Sequence, residues 1–250
     1  MDRTITLIVG RTGSGKTRLV NELINNYNMN VVKSYTTRPK RNKGDNGYKF
    51  ISDADMYPDK LAHTVIDGYE YFTLAKDIQS KDIYVVDPKG VIDLAEKLPE
   101  MTFKIYYVYA DEETRAMVAG KRDGKQNFLK RNASEDAMFT EFENRIHDKK
   151  NPLPDNIYGV VVIKNDYTPA SIGKWAQCIY ENHILVEELT PIVRQVMHKV
   201  FKTVSNDKIE LDFKDRSIEV TPEYIAMLAI TDSDLSSRIF MTYLLNKKGD

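Results

Sequence analysis

Gly10-Arg11-Thr12-Gly13-Ser14-Gly15-Lys16-Thr17 follows an apolar run at residues 4–9 and leads into a helical pattern over residues 16–26. The spacing fits G-x-x-x-x-G-K-[ST], and the strand–loop–helix setting is the context this motif requires. Glycines let the backbone curl so that successive N–H groups point inward at phosphate oxygens. The helix that follows adds its positive N-terminal end. Arg11, Thr12, Gly13, Ser14, Gly15, Lys16 and Thr17 are therefore expected to cradle ATP. Lys16 supplies a mobile charge for the β- and γ-phosphates, and the Thr17 hydroxyl is placed to ligate Mg²⁺, the expected cofactor. The bland alternative is a glycine-rich turn, which the complete match in its proper setting outweighs.

Outward from this loop, short β-branched runs alternate with amphipathic segments, the pattern of a parallel sheet covered by helices. Strands are expected at residues 4–9, 29–33, 83–86, 103–109 and 158–163, and helices at 16–26, 90–97, 112–121 and 169–180. Two stretches interrupt the alternation. Residues 36–80 are rich in Arg, Lys, Tyr and turn formers, and residues 120–151 are highly charged. Both read as insertions above the sheet.

At 250 residues the chain is long enough for one sizeable core and a smaller appended unit. A net charge of −1 gives no basis for general nucleic-acid binding, so any phosphate site must be built from local charge and amides. Cys178 is the only cysteine, and the four histidines lack metal-ligand spacing. The apolar run after Met1-Asp2-Arg3 is too short for a signal peptide, and no stretch reaches the length of a membrane span. A cytoplasmic location and no membrane partner are expected.

A second phosphate site is suggested by Ser34-Tyr35-Thr36-Thr37-Arg38-Pro39-Lys40-Arg41, followed by Gly44-Asp45-Asn46-Gly47-Tyr48-Lys49-Phe50. Two arginines three apart can clamp a phosphate because the planar guanidinium meets its oxygens in a bidentate way. This segment resembles the guanylate kinase motif S-x-T-T-R-x-x-R…G-x-x-Y-x-F, and the resemblance covers roughly residues 4 to 180. It implies Ser34 at the base of an acceptor nucleotide and Arg38, Arg41 and Tyr48 at its phosphate. Gly68-Tyr69-Glu70-Tyr71-Phe72-Thr73 is similar to the family's G-N-x-Y-G-T, which implies Tyr71 at the phosphate and Thr73 at the base. Phe72 departs from the family's glycine, and Ala62 stands where the family carries a base-reading glutamate. Val85-Val86-Asp87-Pro88-Lys89-Gly90 resembles the strand-ending D-x-x-G and implies a nucleotide contact for Asp87, with a helix N-cap as the alternative.

Arg131-Asn132, followed by Ser134-Glu135-Asp136, looks like the family's lid motif R-x-T-E-x-E-E, with Ser134 as the start of a helix over residues 135–148. Lid arginines stabilise the transferring phosphoryl group and help exclude water. Arg131 is the first lid candidate and Arg122 a reserve. The second arginine is displaced to Arg145, because Glu141 and Phe142 occupy its usual positions.

The resemblance thus implies an α/β P-loop kinase: a parallel sheet between helices, an acceptor-binding insertion at 35–80, and a lid at about 120–150, within residues 1–182. Catalysis is expected from Lys16, Arg41, Arg131 and Arg145, with ATP and GMP or dGMP as substrates. Two readings stand beside it: the same fold acting on another nucleotide or a sugar phosphate, and a binding module without catalysis. Residues 183–250 do not match the family and read as a small α+β extension. Thr190-Pro191 looks like a helix start ahead of an apolar stripe, Ile192, Val193, Val196, Met197, Val200 and Phe201. A strand pair is expected at residues 209–213 and 217–220, and helices are expected to begin at Thr221 and Thr231. The stripe has three possible roles: packing on the body, pairing two subunits in a homodimer, or binding another protein.

Overall fold

The computed structural model describes residues 4–148, 151–200, 209–213 and 216–220. Its first strand, β1 (Thr4–Val9), is buried along its whole length, as expected of a strand covered on both faces. The short β2 (Tyr35–Thr36) and β3 (Lys49–Phe50), with β4 (Leu61–Ile66) and β5 (Tyr69–Thr73), form a separate sheet ordered β3-β2-β5-β4. β6 (Ile83–Val85), β7 (Thr102–Tyr109) and β8 (Ile157–Lys164) join β1 in a four-stranded parallel sheet ordered β6-β1-β7-β8. Leu7 pairs with Tyr84, and Tyr107 with Val162. This is the expected α/β architecture, with the smaller sheet where the 35–80 insertion was placed.

Parallel neighbours require crossovers, and helices supply them. α1 (Lys16–Tyr27) starts directly from the glycine loop and ends at Asn28, whose φ of 52° closes the last turn. After the single-turn α2 (Ala75–Ile78), α3 (Pro88–Lys97) begins with proline in its first turn, and α4 (Glu112–Asp123) is capped by Asp111, which accepts the Thr114 N–H at 2.8 Å. Leu7, Val9, Leu94, Phe103 and Ile105 fill the core beneath the site.

Several boundaries differ from the sequence reading. Residues 29–33 make only an isolated bridge, Val31 to Ile83, and Asp82 holds Asn30 through its amide and side chain. The helix expected over residues 135–148 instead begins ten residues earlier as α5 (Lys125–His147), broken from α4 at Gly124 with φ of 87°. The Ser134 hydroxyl caps nothing; it donates to the Arg131 carbonyl at 3.0 Å inside the helix. Phe128, Phe139 and Phe142 bury one face of α5. α6 (Pro169–Val200) likewise runs through Thr190-Pro191, so no helix starts there. A proline inside a helix forfeits one hydrogen bond without ending the helix when strong helical patterning continues on both sides.

The chain divides into two compact units between Gln177 and Cys178. The second contains the end of α6 and the antiparallel pair β9 (Ile209–Phe213) and β10 (Arg216–Val220), as expected for that pair. The helices expected at Thr221 and Thr231 lie outside the described residues. Among the described residues, no helix is long and apolar enough to cross a membrane.

Candidate functional site

The glycine loop leaves the carboxyl end of β1, between β6 and β7, where open α/β sheets present their crevice. Three side chains hold three successive carbonyls of the loop. Arg115 Nη1 donates to Thr12 at 3.2 Å, the Tyr167 hydroxyl to Gly13, and Asn165 Nδ2 to Ser14 at 2.8 Å. A planar trans peptide sends the next N–H to the opposite side of its carbonyl. The Gly13 and Gly15 amides are thereby turned away from these three side chains. Among the described residues, no hydrogen bond engages the N–H groups of Gly13, Gly15, Lys16 or Thr17. A group of unpaired donors at a helix start can receive a polyanion.

The fit is tight. Gly13 has φ of 78°, and a Cβ there would stand 2.7 Å from the Arg115 carbonyl oxygen. Gly15 has φ of 97°, and its Cβ would overlap Asn165 Nδ2. Gly15→Ala should therefore cost about 3 kcal/mol in urea unfolding, falling to about 1 kcal/mol in an Asn165→Ala background where only left-handed strain remains. Equal costs in both backgrounds would show that Asn165 does not press on the loop.

Lys16 Nζ donates to the carbonyls of Gly10 at 2.5 Å and Arg11 at 2.9 Å. Burial, above all, lowers its pKa to about 8. The charges of Arg131, Arg122 and Arg115 push the same way, against the pull of Glu135. Arg131 also acts on Tyr48, as do Arg38 and Arg41. Asp123, at the end of α4, feels Arg122, Arg41 and Arg131 together.

On the smaller sheet, Arg38 is buried, with its guanidinium on Asp45 at 2.9 Å and on the Pro39 carbonyl at 2.8 Å. It stacks over the rings of Tyr48 and Phe50 at 5.4 and 5.3 Å. Burial alone would raise the Asp45 carboxyl, but the Arg41 amide and the Arg38 guanidinium outweigh it and hold it low. The Arg41 side chain is exposed, and Tyr48 meets Tyr71 edge to face at 5.6 Å. Ser34 Oγ lies 3.0 Å from the Tyr84 hydroxyl, and Thr73 Oγ1 is buried with no partner among the described residues. Glu70 binds Lys60 at 2.8 Å and His63 at 2.7 Å, while its strand neighbour Tyr71 faces Tyr48.

Asp87 is the N-cap of α3, accepting the Gly90 N–H at 2.7 Å, and burial raises its carboxyl above the ordinary range. Ala62 has φ of 50°, and its N–H donates to Asp93 at 2.7 Å. Asp93 also pairs with Lys97 at 2.7 Å. The structure does not bring Arg145 to the loop: its guanidinium donates to the Pro152 carbonyl at 3.0 Å. It follows Glu143, which does reach the loop, by two residues, roughly 200° around the helix.

Instead, a polar stripe on α5 faces the loop. Arg11 binds Asp136 at 2.7 Å, Thr140 at 3.2 Å and both Glu143 oxygens at 3.0 Å. Glu135 accepts the Thr12 N–H at 2.6 Å, and Asn132 accepts from Arg115 at 2.7 Å. Burial would raise the Glu143 carboxyl, yet Arg11 and the Tyr107 hydroxyl together keep it below its ordinary value. Arg115, Asn165 and Tyr167 were not singled out from sequence. A usable signal existed, since Asn165-Asp166-Tyr167 directly follows the carboxyl end of β8.

No protein-family model matches this chain, and no curated protein matches it. Among solved structures, an uncharacterized protein from Eubacterium ventriosum aligns at 16% identity over 72% of this chain and 97% of its own, with a TM-score of 0.34. A likeness that low carries no weight for fold or site.

Proposed function

We propose that this chain is a nucleoside monophosphate kinase that transfers the γ-phosphoryl group of ATP to GMP or dGMP. The observation that carries the reading is the glycine loop, where among the described residues no hydrogen bond engages the N–H groups of Gly13, Gly15, Lys16 or Thr17 and Lys16 Nζ is held beside them on the Gly10 and Arg11 carbonyls. The Arg131 charge acts to lower the pKa both of Lys16 in the loop and of Tyr48 beside Arg38, which favours a cation shared by a donor and an acceptor phosphate. In the reaction, an acceptor phosphate oxygen attacks the γ-phosphorus. The bond to the β–γ bridging oxygen breaks, and ADP leaves with that electron pair. The attacking oxygen is already anionic, so no general base is required.

The protein's part is positioning and charge. Lys16 and the loop amides hold the β- and γ-phosphates, Arg38, Arg41, Tyr48 and Tyr71 hold the acceptor phosphate, and Arg131 neutralises charge between them. Ser34 and Thr73 offer hydroxyls to the base, and Asp87 caps the helix that follows β6. Thr17, exposed at the start of α1, suits a magnesium ion that takes its other ligands from phosphates and water. Such a site needs no carboxylate cluster, and none able to hold a metal occurs among the described residues. When bound, the ion would neutralise charge on the β- and γ-phosphate oxygens.

A second reading keeps the fold and changes the acceptor to another nucleotide or a sugar phosphate. It is favoured by Ala62, whose amide is held by an aspartate already neutralised by Lys97. A carboxylate so engaged is a poor acceptor for two guanine donors. A coupled ADP-release assay across GMP, dGMP, AMP, CMP and UMP separates these readings. Turnover with GMP and dGMP is expected; a preference for another acceptor supports the second reading, and no turnover with any monophosphate contradicts both.

The depressed Lys16 pKa has a consequence for binding. The free loop releases its proton near pH 8, whereas a bound anion favours the charged lysine. ADP binding above that pH must then take up a proton, and affinity should fall about tenfold between pH 7.5 and pH 9. Calorimetry in two buffers of different ionisation enthalpy reads the uptake directly, and a proton count of zero at pH 8.5 would contradict the assignment.

A further inference from the structure

Glu135 accepts a hydrogen bond from a loop amide, the Thr12 N–H at 2.6 Å, the one such amide that a side chain from outside the loop occupies among the described residues. A carboxylate oxygen there presents the same charge and acceptor chemistry as a phosphate oxygen. The contact is not isolated. Further along the same helix, Asp136, Thr140 and Glu143 hold Arg11, and Asn132 is tied through Arg115 to the Thr12 carbonyl. Both edges of Thr12 are therefore fastened to α5, the amide by Glu135 and the carbonyl through Arg115. Lys16 is turned back onto the Gly10 and Arg11 carbonyls.

We infer that Glu135 is an internal anion that occupies the glycine loop in place of a phosphate, so that nucleotide binding displaces it and loosens the hold of α5 on the loop. This rests on the reading of the loop as a nucleotide site. The exchange lowers apparent affinity, because the nucleotide binds only the fraction of molecules in which the Thr12 amide is free. It also links occupancy of the loop to the position of Arg131, which lies one helical turn before Glu135 on nearly the same face. Donor binding would thus release the helix that carries the charge needed at the acceptor.

The test uses the full chain and calorimetric titration with ADP at pH 7, for the native protein and for Glu135→Ala and Glu135→Gln. Removing the carboxylate is expected to tighten ADP binding about tenfold, the value for a loop free in about one molecule in ten. Glu135→Gln keeps the size and a neutral acceptor and should fall between the two. Hydrogen exchange adds an independent readout: ADP should speed exchange of backbone amides in residues 132–143 of the native protein and change it little in Glu135→Ala. Equal affinities for all three proteins, or slower exchange in that segment on binding, would overturn the inference while leaving the nucleotide site intact. Failure of ADP to bind any of the three would overturn the nucleotide reading and this inference with it.

Discussion

Replacing Lys16 with methionine is expected to lower kcat for ATP-dependent phosphorylation of GMP by about three orders of magnitude, or about 4 kcal/mol of transition-state stabilisation. The side chain reaches the loop through bonds to the Gly10 and Arg11 carbonyls, so it is positioned before any phosphate arrives. Charge that grows on the β–γ bridging oxygen has no other lysine in the loop to meet it. The loss should appear in kcat more than in the KM for the acceptor, because the proposed acceptor site uses a different set of residues. Stability should move the other way. Burial and three arginines disfavour the Lys16 charge in the free protein, so methionine removes an unfavourable term and the melting temperature should hold or rise. A parallel loss of melting temperature and activity would mean that Lys16 is structural.

Arg131→Ala should lower kcat about a hundredfold to a thousandfold while changing the KM for ATP by less than about threefold, the behaviour of a cation that acts chiefly in the transition state. Arg131 is half-buried, and its charge acts on both the loop lysine and the aromatic–arginine cluster. Lysine at this position should recover part of the loss, since a point charge keeps the field but not the bidentate geometry. Arg145→Ala is the matched control. With its guanidinium on the Pro152 carbonyl, it should leave kcat within about twofold of the native value. Steady-state kinetics on the four proteins decides between the two arginines. If Arg145→Ala carries the larger loss, α5 must rotate in turnover.

Much of the fold was legible because its signals are local. The run at residues 4–9, the loop and the helix after it sit where periodicity and glycine spacing place them, and Asp87 caps α3, the alternative its sequence context offered. Ser134 misled for a physical reason. A serine before two acidic residues has the chemistry of a cap, yet its hydroxyl can equally bond a carbonyl one turn back, and burial of Phe128 with Phe139 and Phe142 extends the helix past it. With the helix expected only from residue 135, Asn132 lay outside the face that Glu135, Asp136, Thr140 and Glu143 share. Arg145 shows the same dependence on helical phase, because two residues separate a side chain facing the loop from one facing the other way. Asn165 and Tyr167 are marked locally only by their place after β8; their partners in the loop, like that of Arg115, lie 103 to 154 residues away in sequence, and no local pattern names those partners.

The proposed function requires two phosphate cradles bridged by one arginine, and such a pair should bind a molecule that fills both at once. The direct measurement is the dissociation constant of a bisubstrate compound, adenosine and guanosine joined through five phosphates, set against those of ADP and GMP alone. Linking the two halves should make it bind at least about a hundredfold tighter than either nucleotide. A dissociation constant no lower than that of ADP, with GMP still able to bind alongside, would place the two cradles too far apart for direct transfer and contradict the account.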